Sequence, residues 1–178
     1  MKLFIAIPVE KAAADAIDAA CAGIKNINDI TWADRESLHI TLKYLGETPE
    51  DKLPEIKRMV DACAENCKKF KSASKNISAF PSEKEAKIIW ADAVTNADKI
   101  LGLAAVAEKL SMDMGFENDE REYVPHITLA RHRFGCDIGA AKGRQFKAEF
   151  GVDTVALYES KKLERNVVYE ILYKAKLK

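Results

Sequence analysis

At 178 residues, 48% hydrophobic and 31% charged, the chain has the make-up of a soluble globular domain long enough to bury a real core. Its 28 basic and 28 acidic residues cancel, which excludes a global basic field for long nucleic acid but leaves room for a small anion or an RNA end. No apolar run approaches the roughly 18 residues of a membrane span, so a cytoplasmic chain with free thiols is expected.

Residues 3–9 read as a buried first strand, apolar almost throughout. They end too soon for a signal peptide and run into charged Glu10 and Lys11. A helix follows from about Glu10, with Ala13, Ile17, Ala20 and Cys21 inward and Gly23 as its stop. Residues 30–33 form a short strand, and 38–45 a longer one closed by Gly46. Pro49 opens a second helix in which Leu53, Ile56, Val60, Cys63 and Cys67 recur at 3–4 spacing. A strand pair is predicted at 70–80 and 87–94, joined through Pro81-Ser82-Glu83.

A third helix is predicted over 97–114, with Ile100, Leu103, Ala107, Leu110 and Met114 inward and Gly115 as terminator. Pro125 fits the first residue of a further strand. Strands near 146–150, 153–158 and 167–173 complete the chain. The fold class is α+β, mainly antiparallel. One domain over 1–178 is expected, with two pseudo-symmetric lobes, helices outside and a central cleft.

The tetrapeptide His-Ile-Thr-Leu occurs twice, as His39-Ile40-Thr41-Leu42 and His126-Ile127-Thr128-Leu129, in a chain with 3 histidines. By chance two histidines of this composition share those neighbours roughly once in two thousand. On a strand, His and Thr point to one face while Ile and Leu anchor the other. Two facing copies make a two-histidine cleft. Imidazole titrates near neutrality, so one copy can accept a proton while its partner donates one. The threonine hydroxyls on the same face suit the oxygens of a phosphoryl group. This pairing fits phosphodiester hydrolysis without a metal.

Several neighbours keep two readings. Strict alternation puts Arg131 on the Ile127 side, so the strand must end, twist or bulge near Ala130 for its guanidinium to reach the cleft. Otherwise Arg131 serves a surface or lobe-packing ion pair. Lys43 shares parity with His39 and Thr41 and is either a rim cation for RNA or a solvated strand end. His132, between Arg131 and Arg133, is a strand exit or a substrate contact. Trp32, Phe80 and Tyr123 are core residues or base-stacking rings. Cys63, Cys67, His132 and Cys136 have zinc-like spacing, but two of them fall on a predicted helix's apolar stripe, where cysteine acts as a small hydrophobe.

The chain resembles the 2H phosphoesterases, and within them the RNA 2′,3′-cyclic phosphodiesterases once described as 2′-5′ RNA ligases. The resemblance rests on Leu3-Phe4-Ile5-Ala6-Ile7, Leu38-His39-Ile40-Thr41-Leu42-Lys43-Tyr44-Leu45-Gly46, Phe80-Pro81 and Ile89-Trp90-Ala91. It continues through Pro125-His126-Ile127-Thr128-Leu129-Ala130-Arg131 and Leu157-Tyr158-Glu159-Ser160. The resemblance implies that His39 and His126 are the acid–base pair and that Thr41, Thr128 and Arg131 hold phosphate. It implies hydrolysis of RNA 2′,3′-cyclic phosphate ends, tRNA fragments among them, to 2′-phosphates, with no metal and no cofactor. A monomer is expected. Tyr44 stands where such proteins often carry Phe. Ligation through a 2′-5′ linkage, a small cyclic nucleotide as substrate and a non-catalytic RNA-end-binding module are the alternatives. The two motifs are too alike to say which histidine is base and which is acid.

Overall fold

The computed structural model of the chain describes residues 1–140, 145–163 and 166–178. In chain order its elements are β1 (Lys2–Pro8), α1 (Lys11–Ala20), β2 (Ile30–Trp32), β3 (His39–Glu47), α2 (Leu53–Glu65), β4 (Phe70–Ser74), β5 (Ile77–Ser82) and β6 (Glu85–Asp92). They continue with α3 (Ala97–Asp113), β7 (His126–Cys136), β8 (Ala148–Val152), β9 (Thr154–Leu163) and β10 (Asn166–Lys176). One antiparallel sheet runs in the spatial order β10-β9-β1-β3-β7-β6-β5, with β2 also on β7, and β4 pairs β8 apart from it. The architecture is α+β and mainly antiparallel, as the alternation of strand and helix patterns predicts.

The sheet has two unlike faces. From β1, Leu3, Ile5 and Ile7 enter a core shared with Ile17 of α1, Ile56 and Val60 of α2, and Ile100 and Leu103 of α3. Phe4 and Ala6 point the other way and form a separate small cluster with Ala156 and Tyr158 of β9. Both faces of β1 are therefore apolar, which is why its sequence reads as an unbroken hydrophobic run.

Two halves of the sheet meet at its middle. β3 and β7 pair only at Ile40↔Ile127, both wholly buried. Further along, β7 exchanges β3 for β2, with Thr31 opposite Arg131 and Trp32 opposite Ala130. The motif strands thus touch at their tetrapeptides and then diverge.

Two expectations need correction. The strand predicted over 70–80 is broken into β4 and β5 by the buried Asp92 carboxylate. Its Oδ1 accepts from the Lys75 and Asn76 amides at 2.6 and 3.1 Å, and Oδ2 accepts from Asn76 Nδ2 at 2.8 Å. Turning the backbone around this anion sends β4 to β8 and leaves β5 for β6. The second predicted helix ends at Glu65, so Cys67 lies beyond it rather than on its stripe.

Because Ile40↔Ile127 is the one residue pair joining β3 to β7 among the described residues, Ile127→Ala should destabilise by about 3 kcal/mol through lost burial and a residual cavity. Urea denaturation measures it, and a loss below about 1 kcal/mol would show that the junction tolerates the cavity.

Candidate active site

The register at Ile40↔Ile127 decides what lies beside what. Continued by one residue each way, it sets His39 opposite Thr128 and Thr41 opposite His126. With both isoleucines in the core, their neighbours project to the other face. All four side chains are half-buried there. Each histidine is placed across from the threonine of the other copy, so the site is shared by both halves of the chain.

A bulge then shapes each half-site at the same motif position. Along β1 the partners run Ala6↔Thr41 and then Ile5↔Lys43, leaving Leu42 as an extra residue. Along β6 they run Trp90↔Thr128 and then Ile89↔Ala130, leaving Leu129 extra. One extra residue reverses which face the next side chain takes. Burial follows: Leu42 and Lys43 are consecutive buried residues, as are Leu129 and Ala130, and Tyr44 and Arg131 after them are exposed. The bulge that Arg131 requires is therefore present, at Leu129. Arg131 is close enough to disfavour charge on His126, and it has no ion-pair partner among the described residues.

The same device removes Lys43 from the rim, correcting its expected RNA contact. Lys43 is 4% exposed, and its ammonium donates to Glu108 Oε1 and to the Glu117 carbonyl, both at 2.7 Å. Tyr44, 55% exposed, takes the position on the site's face that Lys43 lost. Sequence reading notes Tyr44 only as standing where Phe is common and gives it no role, although aligning the copies from their histidines sets it against Arg131.

Both imidazoles are oriented alike. His39 Nδ1 lies 2.7 Å from the Ser37 carbonyl and His126 Nδ1 lies 2.6 Å from that of Val124. A carbonyl only accepts, so Nδ1 carries the hydrogen and Nε2 is left as the working nitrogen. Aromatic rings pack around each. His39 sits among Phe4, Tyr158 and Tyr169, with centroids 4.9, 5.3 and 5.0 Å away. His126 meets Phe80 at 5.5 Å and Trp90 at 5.9 Å, and those two rings stack on each other. Burial lowers the pKa of both histidines, against the raising effect of each carbonyl contact. The charge of His126 lowers His39 further, and that of Arg131 lowers His126.

The remaining candidates divide. Phe80 lies at the site beside His126, while Trp32 packs on the core with Lys25 over its ring at 5.8 Å. Tyr123 is mostly buried, and its hydroxyl donates to the Thr41 carbonyl at 2.8 Å. His132 lies within β7 opposite Ile30 rather than at a strand exit, and its Nδ1 accepts from the Phe134 amide. The zinc-like set does not converge: Cys63 faces the Leu103 carbonyl and Cys136 that of Ala86. Among the described residues no group of three or more His, Cys, Asp or Glu side chains is placed to hold a metal ion.

The chain is 33% identical to the RNA 2′,3′-cyclic phosphodiesterase of Methanocaldococcus jannaschii, over 97% of its own length and 98% of that protein's. The family model of the LigT-like phosphoesterases matches residues 7–90. The chain belongs to this family. The RNA 2′,3′-cyclic phosphodiesterase of Thermotoga maritima is 27% identical over 97% of the chain and 94% of that protein. The LigT-like fold is equally plain in solved structures. TT0787 of Thermus thermophilus has a TM-score of 0.87 at 24% identity, covering 99% of this chain and 98% of its own. E. coli LigT complexed with 3′-AMP has a TM-score of 0.82 at 19% identity, covering 99% and 97%.

Both histidines are depressed below the ordinary 6.5, so the folded state holds them neutral while the unfolded chain protonates first. Their stabilising contribution is present above pH 6.5 and is lost as pH falls through the folded values. The melting temperature should drop as pH is lowered from about 7 to about 5.5, and His39→Gln should flatten that slope. A slope unchanged in the variant would show that His39 is not the group responsible.

Proposed function

We propose that the chain hydrolyses 2′,3′-cyclic phosphate ends of RNA to 2′-phosphates through His39 and His126, without a metal or cofactor. The observation that carries this reading is the crossed arrangement of the two motifs at Ile40↔Ile127, with both Nδ1 atoms bound to carbonyls and both Nε2 atoms left available. The names of the relatives supply the substrate class.

One Nε2 takes a proton from water as its oxygen bonds to phosphorus. The P–O3′ bond breaks, and the other imidazolium gives its proton to O3′. The product carries a 2′-phosphate and a 3′-hydroxyl. Thr41 and Thr128 donate to the non-bridging oxygens, and Arg131 neutralises the charge that grows on them. The phosphate also acts on the proton balance of the pair. Burial disfavours the charged form of both histidines, and a bound phosphate favours the protonated form of a neighbouring imidazole. The side chains gathered here donate hydrogen bonds and shuttle protons, and the carboxylate across from His126, that of Asp92 on β6, is already taken up by the Lys75 and Asn76 amides and by Asn76 Nδ2.

Tyr44 is the natural platform for the terminal base, exposed on the same face as the phosphate groups. The substrate's unlike ends then match an asymmetric pair of positions, an aromatic in one copy and a cation in the other. We take residues 1–178 to act as one bilobal, monomeric unit in the cytoplasm, with tRNA fragments among its RNAs.

His39→Ala or His126→Ala should lower kcat on a 2′,3′-cyclic-phosphate oligonucleotide by about 10²- to 10⁴-fold with the fold retained, and EDTA should leave the wild type unaffected. Full turnover by either variant would sink the assignment. Mass spectrometry of the product separates hydrolysis from joining, since a 2′-5′-linked product would identify a ligase. Tyr44→Ala should raise KM about five- to hundredfold with kcat little changed, in keeping with one lost stacking contact. An unchanged KM would remove Tyr44 from the site.

A further inference from the structure

The two histidines receive their orienting carbonyls from different kinds of structure. Ser37, which serves His39, ends a short helical turn (Arg35–Ser37) capped by Asp34, whose carboxylate accepts from the Glu36 amide at 3.0 Å. That turn is complete in itself. Val124, which serves His126, belongs to the stretch 114–125, which lies outside every helix and strand. Something else must hold this stretch if its carbonyl is to keep its place.

The anchors come from the first motif strand. Lys43 Nζ donates at 2.7 Å to the carbonyl of Glu117 and at 2.7 Å to Glu108 Oε1. That same carboxylate oxygen accepts from the Asp119 amide at 3.1 Å. Nearer His126, the Tyr123 hydroxyl donates to the Thr41 carbonyl at 2.8 Å. Residues 41 and 43 of β3 thus pin the stretch at three of its residues, the last of them next to Val124. The internal repeat underlines the choice. The counterpart of Lys43 in the second copy is Ala130, an apolar residue in the core. A lysine at such a site is costly to desolvate and is tolerated only when paired.

We propose that Lys43 is a positioning residue for the second half-site: through Glu108, Glu117 and Asp119 it fixes the stretch whose Val124 carbonyl orients His126. The first motif strand thereby supplies His39 and Thr41 and also sets the geometry of its partner's histidine. This rests on the acid–base reading above.

The test is Lys43→Met in the 178-residue chain, read by ¹H–¹⁵N NMR of the imidazoles and by kinetics on a 2′,3′-cyclic-phosphate oligonucleotide. The Nδ1–H signal of His126 should broaden or vanish while that of His39 persists, and kcat should fall about tenfold with KM altered less than about threefold. Tyr123→Phe removes a single hydroxyl from the second anchor and should give the same His126-selective change, which keeps the test open if Lys43→Met does not fold. Equal loss of both imidazole signals would overturn the proposal. So would a lower Tm with both signals and kcat intact. The imidazole signals need no turnover, so a wild type that leaves cyclic phosphate untouched would sink the proposed function while this readout still decides the role of Lys43.

Discussion

The site depends on a one-residue insertion made twice. A strand alternates faces with a period of two, so a single extra residue inverts everything downstream of it. Leu42 and Leu129 are those residues, at the same position of the two tetrapeptides. Upstream of each, the isoleucine anchors the core while His and Thr face outward. Downstream, Tyr44 and Arg131 join that outward face, and Lys43 and Ala130 are turned into the core. Without the insertion the cleft would lose its arginine and gain a lysine that the helical layer needs for Glu108.

Around this backbone device the sequence builds two cages of unlike make-up. Three rings surround His39 and two meet His126. Their shared effect is to disfavour the charged form of each imidazole, with the hydrogen on Nδ1 and the lone pair on Nε2. A site so arranged costs stability at acid pH, because the fold resists the protonation that the unfolded chain accepts. The symmetric elements are the histidines and threonines; the asymmetric ones are Tyr44 and Arg131.

Much of this was legible in the residues. The three helices, the apolar first strand and the motif strands follow from periodicity, although α1 ends at Ala20 ahead of the expected stop at Gly23 and α2 begins at Leu53 rather than at Pro49, and the repeated tetrapeptide with its strand parity pointed to the candidate site. The misreadings have one physical source, which is that local pattern carries no knowledge of a distant partner. Lys43 fits a solvated strand by alternation, and only the bulge against β1 and the presence of Glu108 on α3 turn it inward. The break between β4 and β5 likewise waits on Asp92, some 16 residues away along the chain. Arg131 shows the converse: alternation disagreed with the family likeness, and the disagreement itself pointed to the bulge that resolves it.

The most direct test of the central claim is a crystal structure with a 2′-phosphorylated dinucleotide bound. The two-half-site account predicts phosphate oxygens within hydrogen-bond reach of both Nε2 atoms, both threonine hydroxyls and Arg131, a base against Tyr44, and Lys43 still on Glu108. A phosphate held by one motif alone, or by Lys43, would contradict it.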